Sequence, residues 1–363
     1  MKSILVDLGL ITKRRRGMGV FILNIAQELL KSDLNLTFVL SKNIDEDIIG
    51  CWEKMSPRLN VKFIYSPLNP VLTEQVVIPL LMLFNKFDFL LSSGDSAPRL
   101  VKRKRILLIL HDLYFFEGKK FYKTQKLPLR KILGQVYRRF CIARFIGRKD
   151  YYVLTVSEFM KREIQRYDLS LSEKIIVIPN GIDLSKIRSI KKGSNKRNDL
   201  VLITGIDPQK NFNGFLSALE SLSAESMINL NRVKVIGISS DEISVRASLP
   251  IDFLGFQDHD NVIQTLCESR YFVLSSFFES FGIPGLEALA CECRVAASNT
   301  GAIPEILGPN ALYFDPNDAS SMKLALEHLL ADEKEPIVEE PDIVAFTWTS
   351  IVQQRLIPFL KSL

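Results

Sequence analysis

Tyr271-Phe-Val-Leu-Ser-Ser276 runs into Phe-Phe-Glu279-Ser-Phe281-Gly282-Ile283-Pro284-Gly-Leu-Glu287. The first six residues are a short apolar run, and such a run predicts a buried strand. A Phe-Gly turn follows. Pro284 then suits the first turn of a helix, where a missing N–H costs nothing. Strand, glycine-containing turn and helix, in that order, form the repeating unit of parallel α/β sheets.

The same alternation extends outward in both directions. In the first half, strands are predicted at 4–10, 36–40, 61–65, 87–92, 106–110, 151–157 and 174–179. A polar stretch at 183–198, rich in Lys, Ser and Asn, reads as an interdomain linker. Strands resume at 200–204, 233–238, 251–256, 271–276, 294–298 and 312–314. The fold class is therefore α/β, with two Rossmann-like, doubly wound domains facing a central cleft. The expected boundaries are 1–182, 183–343 and a terminal helix over 344–363, anchored by Trp348, Ile351, Leu356 and Phe359. Ligands of such sheets sit at the carboxyl ends of the strands.

Composition narrows the class. A chain of 363 residues, 47% hydrophobic and 24% charged, describes a soluble globular protein of two ordinary domains. Met1-Lys2-Ser3-Ile4 leads straight into a strand without a leader pattern. Residues 76–84 form the longest apolar run, too short to span a bilayer. The five cysteines at 51, 141, 267, 291 and 293 are scattered, as expected of free thiols in a reducing cytoplasm. Cys291 and Cys293 lack the second ligand pair that a zinc site needs. The net charge of +6 is uneven: residues 101–150 hold 15 Lys or Arg against 3 Asp or Glu. Nucleic acid, anionic lipid and phosphorylated acceptors all suit such a segment, but no nucleic-acid recognition module accompanies it.

Glu279 stands before the predicted helix and Glu287 about one turn inside it. N–H groups near Gly282 and Ile283 would point out of the helix start, where the dipole favours an anion. Two carboxylates around an anion site suit a ligand with phosphate in the middle and hydroxyls at both ends, as in a nucleotide-diphosphate sugar. Two acidic strings, Asp45-Glu46-Asp47 and Asp258-His259-Asp260, have the look of D-x-D metal loops but read as solvated loop residues. Of the three histidines, His259 falls in a polar loop and His328 in an amphipathic helix, both structural in expectation. His111 directly follows a strand.

The segment 271–287 resembles the retaining family-four (group 1) glycosyltransferases of the GT-B fold, similar to bacterial surface-polysaccharide mannosyl- and glucosyltransferases. Val156-Ser157-Glu158-Phe159 and the 174–183 stretch, with its Asn180-Gly181 turn, match the family's interdomain hinge. The resemblance implies that Glu279 contacts sugar hydroxyls, that the Phe281, Gly282 and Ile283 backbone cradles sugar and phosphate, and that Glu287 holds the ribose. Thr204-Gly205-Ile206-Asp207-Pro208-Gln209-Lys210 matches the phosphate-binding turn. Taken alone Lys210 is a surface lysine; in the family it neutralises the diphosphate. Ile206 and Gln209 stand where the family often has Arg, so one cation fewer holds the phosphates. Gly17-Met18-Gly19 matches the loop beneath the donor, with Arg14 to Arg16 nearby and Val20 where a basic residue is common. His111 corresponds to a residue contacting the sugar near the reacting carbon. Glu292 and Arg294 replace the usual Gly and Pro of a turn.

The implied reaction transfers a hexose with retention from a donor of GDP or UDP type, without cofactor or metal, to a glycan or polyprenyl-diphosphate-linked acceptor in lipopolysaccharide or related synthesis. Between 129 and 145 the apolar residues recur at helical spacing, with Lys131, Arg138, Arg139 and Lys149 off the stripe. That stripe either packs on the core or meets an anionic membrane, placing the protein in the cytoplasm, peripheral on the inner face of the plasma membrane. Two alternatives remain: a nucleotide-sugar epimerase or hydrolase of the same architecture, and a non-catalytic, basic membrane-binding scaffold.

Overall fold

The computed structural model describes residues 2–11, 17–40, 46–55, 61–101, 105–113, 129–143, 151–167, 173–222, 230–241, 250–331 and 340–363. Arg14 to Arg16, Asp45, Lys149 and half of the basic 101–150 segment lie outside the described residues. The chain divides into two compact units: Met1–Asn180 with Trp348–Leu363, and Gly181–Thr347.

Unit one holds β1 (Ser3–Asp7), α1 (Gly17–Leu29), β2 (Asn35–Leu40), β3 (Val61–Tyr65), β4 (Phe89–Ser92), β5 (Arg105–Ile109), α2 (Leu129–Ala143), β6 (Tyr151–Thr155) and β7 (Ile175–Val177). Its sheet order is β3-β2-β1-β4-β5-β6-β7, all parallel. Unit two holds α3 (Leu184–Lys191), β8 (Arg197–Ile203), α4 (Phe212–Glu220), β9 (Arg232–Ile236), β10 (Ile251–Gly255), α5 (His259–Cys267), β11 (Ser269–Leu274), α6 (Ile283–Ala290), β12 (Arg294–Ser298) and β13 (Ala311–Phe314). Its order is β10-β9-β8-β11-β12-β13, again parallel. Each sheet is doubly wound. The strand order reverses between β1 and β4 in one and between β8 and β11 in the other, the switch points where such sheets bind ligands.

The strands read as continuous apolar runs because helices cover both faces. Tyr271, Phe272, Val273 and Leu274 of β11 are all buried. Phe215, Leu219, Val235 and Leu326 pack with Tyr271 and Val273 in one cluster. Each such side chain contributes about 1.5–3 kcal/mol.

Two expectations are corrected. Residues 183–198 are not a linker. Asp183 caps α3, its carboxylate accepting from Lys186 N at 3.0 Å; Ile187 is buried, and β8 already begins at Arg197. The Lys- and Ser-rich composition is the solvated face of a short helix. β1 ends at Asp7 rather than at residue 10. Leu8 and Ile11 stay fully buried, but Ile11 N donates to Leu8 O at 3.0 Å, a turn that keeps burial without a ladder. In α2 the apolar stripe does not all face inward. Cys141 and Ile142 are buried, whereas Ile132, Leu133, Val136 and Phe140 are 40, 60, 59 and 57% exposed.

The chain's end belongs to unit one. Trp348 stands edge-on to Phe21 of α1 at 5.6 Å between ring centroids. Lys361 pairs with Asp33 at 2.7 Å.

Candidate functional site

In unit two the candidate residues collect at the carboxyl ends of β8, β11 and β12. β8 runs through Gly205 into a 3-10 turn, Pro208–Lys210, and β11 into the Ser275–Glu279 loop. The two turns are stitched together. Phe277 N donates to Gln209 O at 2.8 Å, Gln209 Nε2 to Phe278 O at 2.7 Å, and Ser275 Oγ to Lys210 O at 2.9 Å. Gln209 thus spends its amide on the scaffold. Lys210 Nζ meets Glu279 Oε1 at 2.7 Å, and Ser276 Oγ donates to the same oxygen at 2.7 Å. The lysine side chain is 34% exposed and the glutamate 15%, so the cation is the accessible member.

Asn211 does not cap α4 through its side chain. It takes a left-handed backbone (φ 51°), and its Nδ2 donates to Pro316 O at 3.0 Å. Glu279 is held from behind: Ala302 N donates to its carbonyl at 3.0 Å, and Gly301, at φ 65°, lies directly beside that carbonyl.

Gly282 precedes α6 at φ 92°, a conformation that favours glycine, and no side chain caps this helix. Phe281 is buried against Phe346, with ring centroids 5.9 Å apart, which leaves its backbone for contact. Ile283 is half-buried. Glu287 is buried on α6, and Nε2 of His259 donates to its Oε1 at 2.7 Å. This hydrogen bond raises the His259 pKa above the ordinary imidazole range. His259 is therefore not in a free loop: it is the first residue of α5, in contact with a candidate ligand-binding carboxylate. The acidic string around it is also committed. Asp258 caps α5, accepting from Asn261 N at 2.8 Å, and Asp260 pairs with Lys186. Among the described residues no group of three or more His, Cys, Asp or Glu is arranged to hold a metal ion.

Unit one presents a second polar edge, at the ends of β1, β4 and β5. α1 begins at Gly17, and Gly19 is buried in its first turn. Phe21, two residues on, lies edge-to-face with His111 at 4.6 Å. The His111 backbone N donates to Asp95 Oδ1 at 2.8 Å, while its ring Nε2 is buried without a hydrogen-bond partner among the described residues. Burial pulls the imidazole down to about 4, so it is neutral at physiological pH. Beside it is a buried carboxyl group of residues absent from the sequence expectations. Asp7 is pushed up to about 7 by burial and then by Glu74; Asp95 rises to about 6 by burial. Glu74 accepts from Ser96 Oγ at 2.5 Å and from Tyr137 OH at 3.0 Å.

Asp7 makes a measurable pH signature. Its folded pKa lies above the unfolded 3.8, so the fold is favoured by this group at low pH and loses that contribution as pH rises through about 7. His111 acts the other way, losing its contribution as pH falls from 6.5 through about 4. Asp7→Asn keeps the Oδ1 that accepts from Gly9 N and removes the ionisation. Thermal melts should show it raising Tm at pH 8 more than at pH 5. An equal effect at both values would mean that Asp7 ionises normally.

Two family models match the chain. The family model "Glycosyl transferases group 1" matches residues 185–338, and "Glycosyltransferase Family 4" matches residues 15–186. The O-antigen chain mannosyltransferase B of Escherichia coli is 28% identical over 198 residues, 50% of this chain and 52% of that protein. The serotype-specific mannosyltransferase WbdA of E. coli is 23% identical over 269 residues, 62% of this chain and 33% of that protein. The chain thus spans about a third to a half of the length of these relatives. The crystal structure of Anabaena HepE in complex with UDP superposes over 100% of both chains with a TM-score of 0.70 at 18% identity, a likeness of fold. The two Rossmann-like units are those of the GT-B glycosyltransferase structures.

Proposed function

The chain belongs to the group 1 glycosyl transferases, and from that premise we propose that it moves a hexose, of mannose or glucose type, from a nucleotide-diphosphate sugar to a glycan or lipid-linked glycan of the cell surface. The observation that carries this reading is the Lys210–Glu279 contact beside the uncapped start of α6. A cation, a sugar-binding carboxylate and backbone N–H groups at a helix start meet the three chemical parts of such a donor. Glu279 hydrogen-bonds the sugar, Lys210 and the Gly282 turn draw charge off the departing diphosphate, and Glu287 takes the ribose. His111, neutral, contacts the transferred sugar. The leaving group is already good, so the protein supplies orientation and charge stabilisation rather than a strong acid. Transfer then proceeds with retention, the departing phosphate taking the acceptor proton, and without a metal.

A calorimetric screen of UDP-, GDP- and ADP-sugars in metal-free buffer tests the donor site. One nucleotide family should bind. Sugar release or isomerisation in the absence of any acceptor would point to a hydrolase or epimerase instead.

The acceptor side of the proposal is a membrane. α2 carries Arg130, Lys131, Arg138 and Arg139 and no acidic residue, and it exposes Ile132, Leu133, Val136 and Phe140. Arg99 covers the Phe140 ring at 3.4 Å. An exposed apolar face on a helix of basic sequence suits an anionic bilayer surface. The protein should sediment with vesicles containing phosphatidylglycerol and not with pure phosphatidylcholine. Leu133→Ser together with Phe140→Ser should cut the bound fraction at least about fivefold, each exposed apolar side chain contributing roughly 1 kcal/mol. Unchanged sedimentation would remove α2 from the proposal.

A further inference from the structure

Glu287 is already occupied. Nε2 of His259 holds its Oε1 at 2.7 Å, and the imidazole is the accessible partner, 54% exposed against 9% for the carboxylate. The charged groups that bear on the imidazole are Glu287 from α6, Lys186 from α3 and its neighbour Asp260. Lys186 and Asp260 pair with each other, and Asp258 spends its carboxylate as the α5 cap. Among the described residues Glu287 is the anion that hydrogen-bonds the imidazole.

A ribose binds a carboxylate through its vicinal diol, one hydroxyl to each oxygen. Such a ligand needs both oxygens of Glu287, and the imidazole stands on one of them. We propose that His259 is a positioning residue that holds Glu287 in the empty donor site and is displaced from it, with release of a proton, when the ribose of a nucleotide sugar binds. The inference rests on the reading of Glu287 as the ribose contact. The place of His259 in the fold favours the release. It is the first residue of α5, and a helix N-terminus disfavours a cation. Without the carboxylate the imidazolium has lost its counter-charge, and its proton passes to the buffer.

Binding that releases a proton strengthens as pH rises. Calorimetry with UDP-glucose and GDP-mannose, in phosphate, MOPS and Tris at pH 7, counts the protons released. These esterified diphosphates have no terminal phosphate titrating near pH 6. The wild-type protein should release a fraction of a proton per donor bound, and its Kd should fall as pH rises from 6 to 8. His259→Gln should release none, and its affinity should be flat with pH. His259 is half-exposed, so the variant is expected to fold, and a melt checks this. A merely structural histidine would lower affinity at every pH while leaving the proton count unchanged. Donor binding with the same proton count in both proteins therefore overturns the inference and leaves the donor site standing. If neither nucleotide sugar binds at any pH, the donor-site reading itself fails and the inference falls with it.

Discussion

Lys210→Ala should lower kcat by about two to three orders of magnitude, the usual consequence of removing one group that stabilises charge developing on a leaving oxygen. The side chain is a third exposed, so its removal opens no core cavity, and stability should change by less than about 1 kcal/mol. The effect on rate is large because neither Ile206 nor Gln209 adds a cation beside Lys210. Ile206 has no charge, and Gln209 is bonded to Phe278 O. Glu279 would keep its bond to Ser276 Oγ, so the sugar contact survives while the diphosphate loses its counter-charge. Lys210→Arg restores a cation on a longer, planar group and should recover only part of the rate. Steady-state kinetics with the donor found by calorimetry decide the matter. A kcat within threefold of wild type for Lys210→Ala would show that the diphosphate is neutralised elsewhere.

The parts of this molecule that a sequence makes legible are those written in one short stretch. β11, the Phe-Gly turn and α6 are contiguous, and apolar run, glycine and proline each act locally. The partners of that stretch come from elsewhere in the chain. His259 precedes Glu287 by 28 residues and reaches it because α5 and α6 flank β11 in the sheet. In the sequence it sits inside an acidic string, and nothing local distinguishes a histidine that reaches a carboxylate from one in water. A signal was present all the same: it lies at the carboxyl end of β10, the edge where these sheets bind ligands. The α3 helix was hidden for a different reason. Eight residues with one buried apolar side chain, Ile187, give too little periodicity to stand out from a polar linker. In α2 the spacing is helical, but the partners of its inner face come from elsewhere in the chain: the Gln75 amide donates to Tyr137 OH at 2.9 Å from 62 residues away.

Gly301 is a residue set by its surroundings, and Gly301→Ala should be among the most damaging single substitutions in unit two. Two costs coincide. The backbone is left-handed at φ 65°, which strains any residue with a Cβ. A Cβ at this position would also lie 2.5 Å from Glu279 O and 3.0 Å from Glu279 N. Both are backbone atoms, so no side-chain rotation relieves the contact and the Glu279 loop itself must move. That movement breaks or lengthens the 3.0 Å bond from Ala302 N and carries the carboxylate away from Lys210. The expected loss is on the order of 3 kcal/mol in stability, larger than the strain of a left-handed alanine alone. Donor affinity should fall at least tenfold in the folded fraction. Gly205→Ala is the control for stability. Its Cβ would meet nothing within 4 Å and its φ is not positive, so its melt should stay close to wild type. Urea denaturation and donor titration on the two variants separate the alternatives. If Gly301→Ala melts with wild-type stability, the loop yields without cost. If it is destabilised yet binds donor normally, Glu279 does not need the position in which Gly301 and Ala302 hold it.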